Sequence, residues 1–163
     1  MKTKIKTILF TFIAWFASAT LLAQSGEIAA IKEVIAKETD AFFGVNKQGW
    51  ADCWLQVPYV YWSYSDSTAT SFVQGWDGDK GLFKTFDNYF KTAKPSKAMI
   101  TRDWIDVKVY GNGAFARFFQ NVKDEIDHDI TSEVRVLEKK DGKWKMIFVG
   151  AIAKYPNVPT VNH

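Results

Sequence analysis

The sequence predicts an α+β domain in which helices cover one face of an antiparallel sheet. Three observations lead there. The last third is a β-meander, with β-prone runs flanking Asp141-Gly142 and a second pair flanking Gly111-Asn112-Gly113. Asp-Gly and Asn-Gly tolerate the positive φ that a tight hairpin turn requires. The first part, from Glu27 to Val45, carries apolar residues at helical spacing. Helices come first and the meander last, an order that segregates helices to one side of an antiparallel sheet.

Residues 1–23 are set apart from that domain. Lys2, Lys4 and Lys6 form a basic start, Ile8 to Ala23 is mostly apolar, and small residues lie near its end. This layout predicts a secretory signal peptide cleaved after Ala23, with Ala17-Ser18-Ala19 as the alternative site. An uncleaved anchor is the competing reading, but a membrane span needs roughly 20 residues and this stretch is shorter. The expected product is periplasmic or secreted, with no membrane association after cleavage. Losing three lysines and no acid takes the formal net charge from +3 to 0. A nucleic-acid reading, which needs a basic patch, loses its support. The remaining 140 residues fit one domain over residues 24–155, with 156–163 as a loose, proline-containing tail. Cys53 is the only cysteine, so no intrachain disulfide can form. Its setting, Trp50-Ala51-Asp52-Cys53-Trp54, favours a small buried hydrophobe over a reactive thiol.

In the first helix, Ile28, Ile31, Ile35, Phe42 and Val45 form the apolar side, with Lys32, Glu33, Lys37 and Glu38 largely between them. Trp50 and Trp54, one turn apart, predict a short second helix over Trp50–Gln56 that Pro58 ends. The aromatic run Tyr59–Tyr64 reads as a strand, Ser65–Thr68 as a turn and Thr70–Val73 as a returning strand. Asp77 or Asp79 is placed to cap a third helix running to about Lys91, its apolar side made by Leu82, Phe83, Phe86, Tyr89 and Phe90. Four strands then fill residues 98–153, turning near Asn112-Gly113, near Asp127–Asp129 and at Asp141-Gly142.

With these residues in this order, the chain resembles the NTF2-like superfamily, and within it the SnoaL-like and DUF4440-type domains. The carrying features are the long first helix, Gly49-Trp50 in the second, and the glycine-rich approach to the third helix from Gly75 to Gly81. The run Trp104 to Ala114 and the pattern Val134-x-Val136 followed by Asp141-Gly142-Lys143-Trp144 are stronger. The resemblance covers residues 27–154. It implies a cone-shaped barrel, a strongly curved antiparallel sheet packed around the N-terminal helices, with an apolar pocket at the wide end. Two features depart from it. Isomerase members carry a general-base carboxylate on the first strand, whereas Pro58 to Ser65 holds no acid; many SnoaL-like members carry a late histidine, near which this chain has Gly150. Both departures count against the better-known proton-transfer chemistries.

Other motifs have bland explanations. Gly111 to Ala116 fits a dinucleotide-binding pattern but joins two strands rather than opening a helix. Asp77 to Gly81 lacks the spacing and the final Glu of a calcium loop. With His128 in Asp127-His128-Asp129 and only terminal His163 besides, neither a zinc site nor a serine triad is expected, and no cofactor or metal is implied.

Two signals point to a small-molecule ligand. Six tryptophans remain outside residues 1–23, more than a core of this size needs, and Trp and Tyr suit pocket walls. Candidate ligand-binding residues are Trp54, Tyr59, Trp62, Trp76, Trp104, Phe119, Arg117 and Arg135. A large-residue core with a homodimer interface is the alternative source of the aromatics. The second signal is selective use of arginine: Arg102, Arg117 and Arg135 are the only three, and all fall on strands, where a planar fork can meet an anion. Cross-strand pairing with Glu133, Asp103 or Asp106 is the structural alternative. Three functions remain open: an exported domain binding a small, largely apolar molecule; a pocket enzyme of isomerase, cyclase or dehydratase type with Asp106 or Glu133 as general base beside an Arg; and a dimerising assembly domain.

Overall fold

A 20-residue helix lies at the centre of the architecture. The computed structural model describes residues 24–124 and 128–153, and helix α1 occupies residues 24–43. Ile31 and Ile35 are fully buried, whereas Glu33 and Lys37 pair at 2.6 Å on the opposite side, as an amphipathic 3.6-residue repeat dictates. The helix stops at Gly44, whose N–H returns to the Asp40 carbonyl at 2.8 Å. A Cβ there would sit 2.7 Å from that oxygen, so the close approach requires glycine.

Helix α2 spans Lys47–Asp52, three residues ahead of its expected start, because the Asn46 side chain accepts from the Gly49 N–H at 2.9 Å and supplies the cap. It ends early because Trp54 leaves to form a parallel bridge with Met146. Helix α3 spans Leu82–Thr92, and neither Asp77 nor Asp79 caps it. The Leu82 and Phe83 N–H groups instead donate to the carbonyls of Gly75 and Trp76 at 2.8 and 3.1 Å, so backbone satisfies the first turn.

Six strands form one sheet: β1 Tyr61–Ser65, β2 Thr70–Gln74, β3 Met99–Tyr110, β4 Gly113–Lys123, β5 His128–Lys140 and β6 Lys143–Ala153, in the order β2-β1-β6-β5-β4-β3. The antiparallel meander β3 to β6 matches the sequence expectation, with Asp141 at φ 50° and Gly142 at φ 75° making its last turn. The turn expected near Asp127–Asp129 falls partly on residues 125–127, outside the described residues; His128 and Asp129 already belong to β5. The expected signal peptide and the whole C-terminal tail, residues 156–163, also lie outside the described residues.

The sheet is not antiparallel throughout, because β1 pairs with β6 in parallel. That alignment starts upstream of β1, where the Leu55 N–H donates to the Met146 carbonyl and the Met146 N–H to the Cys53 carbonyl, both at 2.9 Å. Bulges between Trp104 and Asp106 and between Val136 and Leu137 add twist and bend, giving a strongly curved, unclosed sheet. Its concave face carries Ala114, Ala116, Phe118, Leu137, Met146 and Val149, which share one buried cluster with Ile31 and Ile35 of α1. Glu27 ties one end of the helix down: its carboxylate accepts from Lys139 Nζ at 2.5 Å and from Trp144 Nε1 at 2.6 Å.

Leu137→Ala, at a fully buried concave position, is expected to cost about 2–5 kcal/mol in urea unfolding. Tyr110→Ser, at an exposed position, should change stability by less than about 0.5 kcal/mol. Equal losses at the two positions would contradict the assignment of the faces.

Candidate functional site

Beyond the apolar stripe, the C-terminal half of α1 and the near ends of β4, β5 and β6 enclose a cavity of about 270 Å³. Phe42, Phe43, Trp62, Phe86, Val122 and Val149 supply its apolar wall. Its polar side is made by Glu38 and Thr39 from α1, Gln120 from β4, and Thr131, Glu133 and Arg135 from β5. Five of these six are buried, Glu38, Thr39, Gln120, Glu133 and Arg135, and they are the buried polar side chains among the described residues.

The aromatic wall is built in layers. Phe86 of α3 stacks on Trp50 with centroids 4.7 Å apart and meets Trp62 edge-on at 5.2 Å. Phe42 stacks on Tyr89 at 4.8 Å. Trp50 then reaches across to Glu38, donating its Nε1–H to Oε1 at 3.0 Å. Glu38 Oε2 lies 3.4 Å from Thr39 Oγ1, whose own proton goes to the Ile35 carbonyl at 3.0 Å. Burial is the main force on this carboxyl and raises its pKa; Arg135 pulls it down and Glu133 pushes it up again.

Glu133 and Arg135 stand two residues apart on β5, which puts both side chains on the concave face. Glu133 Oε1 accepts from Thr131 Oγ1 at 2.6 Å. Arg135 Nη2 is 3.0 Å from Glu133 Oε2, an ion pair by distance, yet Oε2 has no hydrogen-bond partner among the described residues, and neither does Arg135 Nε. Proximity without alignment leaves both groups short of the bonds that normally repay desolvation. A buried pair in that state adds little to stability.

The structure divides the residues singled out by sequence. Trp62, Glu133 and Arg135 come together at the cavity. Asp106, Arg117 and Phe119 lie on the convex face instead, because β4 turns Ala114, Ala116, Phe118 and Gln120 inward and the alternate residues outward. There Arg117 Nη2 donates to Asp106 Oδ2 at 2.6 Å, the cross-strand pairing that was the alternative reading. Trp54 and Trp76 are buried in the core around Trp50. Trp104 packs on Phe118, and Tyr59 is exposed with its hydroxyl on Glu138. Gly150 faces outward too, beside the Phe148 ring, so the inward neighbours Val149 and Ala151 leave no ionisable group on β6 at the cavity. Sequence reading missed Glu38 and Gln120. Glu38 falls three residues after Ile35 on the apolar stripe, and Gln120 two after Phe118, so both interrupt a buried repeat with a polar group.

A larger groove of about 820 Å³ runs between α1, α2 and the β5–β6 turn. Its charges are satisfied on an open surface: Lys37 by Glu33, and Lys145 by the Asp52 carbonyl. Cys53 at its floor donates to the Gly49 carbonyl at 3.3 Å, and burial pushes its thiol up to about 11, which keeps it unreactive. No group of side chains suited to holding a metal occurs among the described residues, and no described helix is long and apolar enough to cross a membrane.

Glu38 gives a testable pH dependence. A carboxyl whose folded pKa exceeds its unfolded value, near 4.5, stabilises fully below that value and loses its contribution as pH rises through the folded pKa. Glu38→Gln keeps an acceptor for Trp50 and removes the ionisation. Its melting temperature should exceed that of the wild type increasingly from about pH 5 to about pH 8, with about 2–4 °C for each kcal/mol. A difference that stays flat across this range would mean that ionising Glu38 costs the fold nothing.

No protein-family model matches the sequence, and no curated protein does. Solved structures do match. A nuclear transport factor 2 (NTF2-like) superfamily protein from Salmonella enterica is 16% identical, with a TM-score of 0.60 over 86% of this chain and 99% of its own. An NTF2-like protein of unknown function from Silicibacter pomeroyi is 10% identical, with a TM-score of 0.61 over 80% of this chain and 98% of its own. Another from Shewanella baltica is 20% identical, with a TM-score of 0.57 over 80% and 96%. At these identities the likeness speaks for architecture, and it agrees with the curved mixed sheet wrapped on α1: the chain has the NTF2-like α+β cone fold.

Proposed function

We propose that this protein is an exported, SnoaL-like binding domain that takes a small, largely apolar molecule into the cavity between α1 and the concave sheet. The observation that carries the reading is Arg135, only 5% exposed, on the polar side of a cavity whose other wall is aromatic and aliphatic, with its Nε–H unbonded. A buried donor without a partner costs about 1–3 kcal/mol, a cost that a bound acceptor would remove. The volume, about 270 Å³, is just under the usual lower bound of roughly 300 Å³ for ligand pockets, so the ligand is small. Binding is favoured over catalysis because the carboxylate best placed for a base, Glu133, is held between Thr131 and Arg135. The basic start and short apolar stretch of residues 1–23 support export.

The neutral fluorescent probe N-phenyl-1-naphthylamine tests the cavity. It should bind once per chain, and Ala151→Leu, which fills the cavity from β6, should weaken it at least tenfold, about 1.4 kcal/mol. Unchanged binding in this variant would put the apolar site elsewhere.

A second reading, assembly with another copy of this chain, rests on the convex face. There Tyr61 stacks between Phe72 and Phe148 at 6.0 and 5.7 Å, while Phe72 is 63% and Ile152 58% exposed. A contiguous apolar patch of this kind marks an interaction surface. Sedimentation velocity should show a dimer that the double variant Phe72→Lys, Ile152→Lys converts to monomer; a wild-type monomer at micromolar concentration would end this reading.

A further inference from the structure

A second guanidinium on the concave face, that of half-buried Arg102, is also short of partners. Arg102 of β3 pairs in register with Gln120, a cavity residue, and Arg135 pairs with Ala116. Phe118 sits between those two rows on the concave face. Its ring lies 6.0 Å from the Arg102 guanidinium carbon and 5.9 Å from that of Arg135, so the two cations flank one aromatic side chain. Arg102 Nε and Nη2 and Arg135 Nε are all buried without a hydrogen-bond partner among the described residues. Two cations on either side of one ring, with three desolvated donors left unbonded, repel each other and favour an anion that takes up those donors.

We propose that the Arg135 side of the cavity is a carboxylate subsite in which Arg135, with Arg102 from across Phe118, holds a monoanionic head group while the aromatic wall takes an apolar remainder. This deepens the binding reading given above and rests on it. The charge count favours a monoanion. Arg102 and Arg135 contribute two positive charges, Glu133 one negative, and Glu38 is held toward its neutral form by burial. One positive charge is left over among these four side chains. Asp40, which attracts Arg102, and Asp129, at the cavity rim, are both exposed and screened by water. A dianion such as a phosphate monoester would overshoot and leave a buried negative charge. The planar fork of each guanidinium matches the two oxygens of a carboxylate, which a lysine could not do. The narrow cavity and its Phe42, Trp62 and Phe86 wall then suit a short aryl or branched aliphatic chain.

The test is calorimetric titration of the full chain with 3-phenylpropionate, its neutral amide 3-phenylpropanamide, and phenyl phosphate. The carboxylate is expected to bind at least tenfold more tightly than the amide, and the phosphate more weakly than the carboxylate. Arg102→Met and Arg135→Met should each bring the carboxylate down to the affinity that the same variant shows for the amide. Should either methionine variant fail to fold by circular dichroism, Arg102→Lys and Arg135→Lys keep the charge but lose the fork, and each should still lose most of the carboxylate preference. Equal binding of carboxylate and amide by the wild type overturns the subsite and leaves the apolar pocket standing, as does an undiminished carboxylate preference in the arginine variants. Failure of every compound, together with failure of N-phenyl-1-naphthylamine, overturns both the subsite and the pocket.

Discussion

Everything in this protein hangs on how helix α1 is seated across the concave sheet. At one end Glu27 is fixed by Lys139 and Trp144; at the other Glu38 is fixed by Trp50. Between them Ile31 and Ile35 are fully buried. The sheet admits the helix because β4 presents two alanines, Ala114 and Ala116, where larger side chains would hold it off. Those small residues lie toward the narrow end. Toward the wide end the helix carries polar Glu38 and Thr39, which do not pack into the sheet as isoleucines would, and the cavity opens there.

The same seating explains why the polar groups of the cavity are under-bonded. A helix carboxyl brought inside the curved sheet loses water, and that burial raises its pKa. Arginines drawn in from β3 and β5 lose water and cannot release theirs. Glu133 meets Arg135 without aligning with it, since side chains two residues apart on one strand stand roughly parallel rather than face to face. Such an arrangement leaves desolvated groups without the bonds that normally offset their burial. The wall of Trp50, Phe86 and Trp62 is the opposite case: stacked and edge-on rings at 4.7 and 5.2 Å form a rigid surface that makes no polar demand.

The convex face poses a different question from the cavity. On it Arg117 and Asp106 satisfy each other, and the aromatic row Phe72, Tyr61 and Phe148 runs across three adjacent strands. The sheet is therefore apolar on both sides, one side closed by α1 and the other left to solvent or to another molecule. This division also accounts for the aromatic excess: the tryptophans concentrate in the core and cavity wall, and the phenylalanines of β4 and β6 in part on the outside.

The sequence alone determined the order of elements, because hydrophobic period and turn chemistry are local. Ile31 and Ile35 at helical spacing, and Asp141-Gly142 between β-prone runs, suffice for α1 and the last hairpin. It also determined that Glu133 and Arg135 share a face, since alternation along a strand is fixed. It could not determine which face. In β4 both parities are apolar, Phe115 and Phe119 on one side and Ala116 and Phe118 on the other, so nothing local says which set is covered. The tertiary structure decided that through the seating of α1, and with it the outward fate of Arg117 and the inward fate of Arg135. It likewise decided the parallel pairing of β1 with β6, which joins residues 87 apart, as Tyr61 with Phe148, and the meeting of Glu38, Arg102 and Arg135, which come from three separate elements and whose proximity only the curved sheet packed on α1 creates.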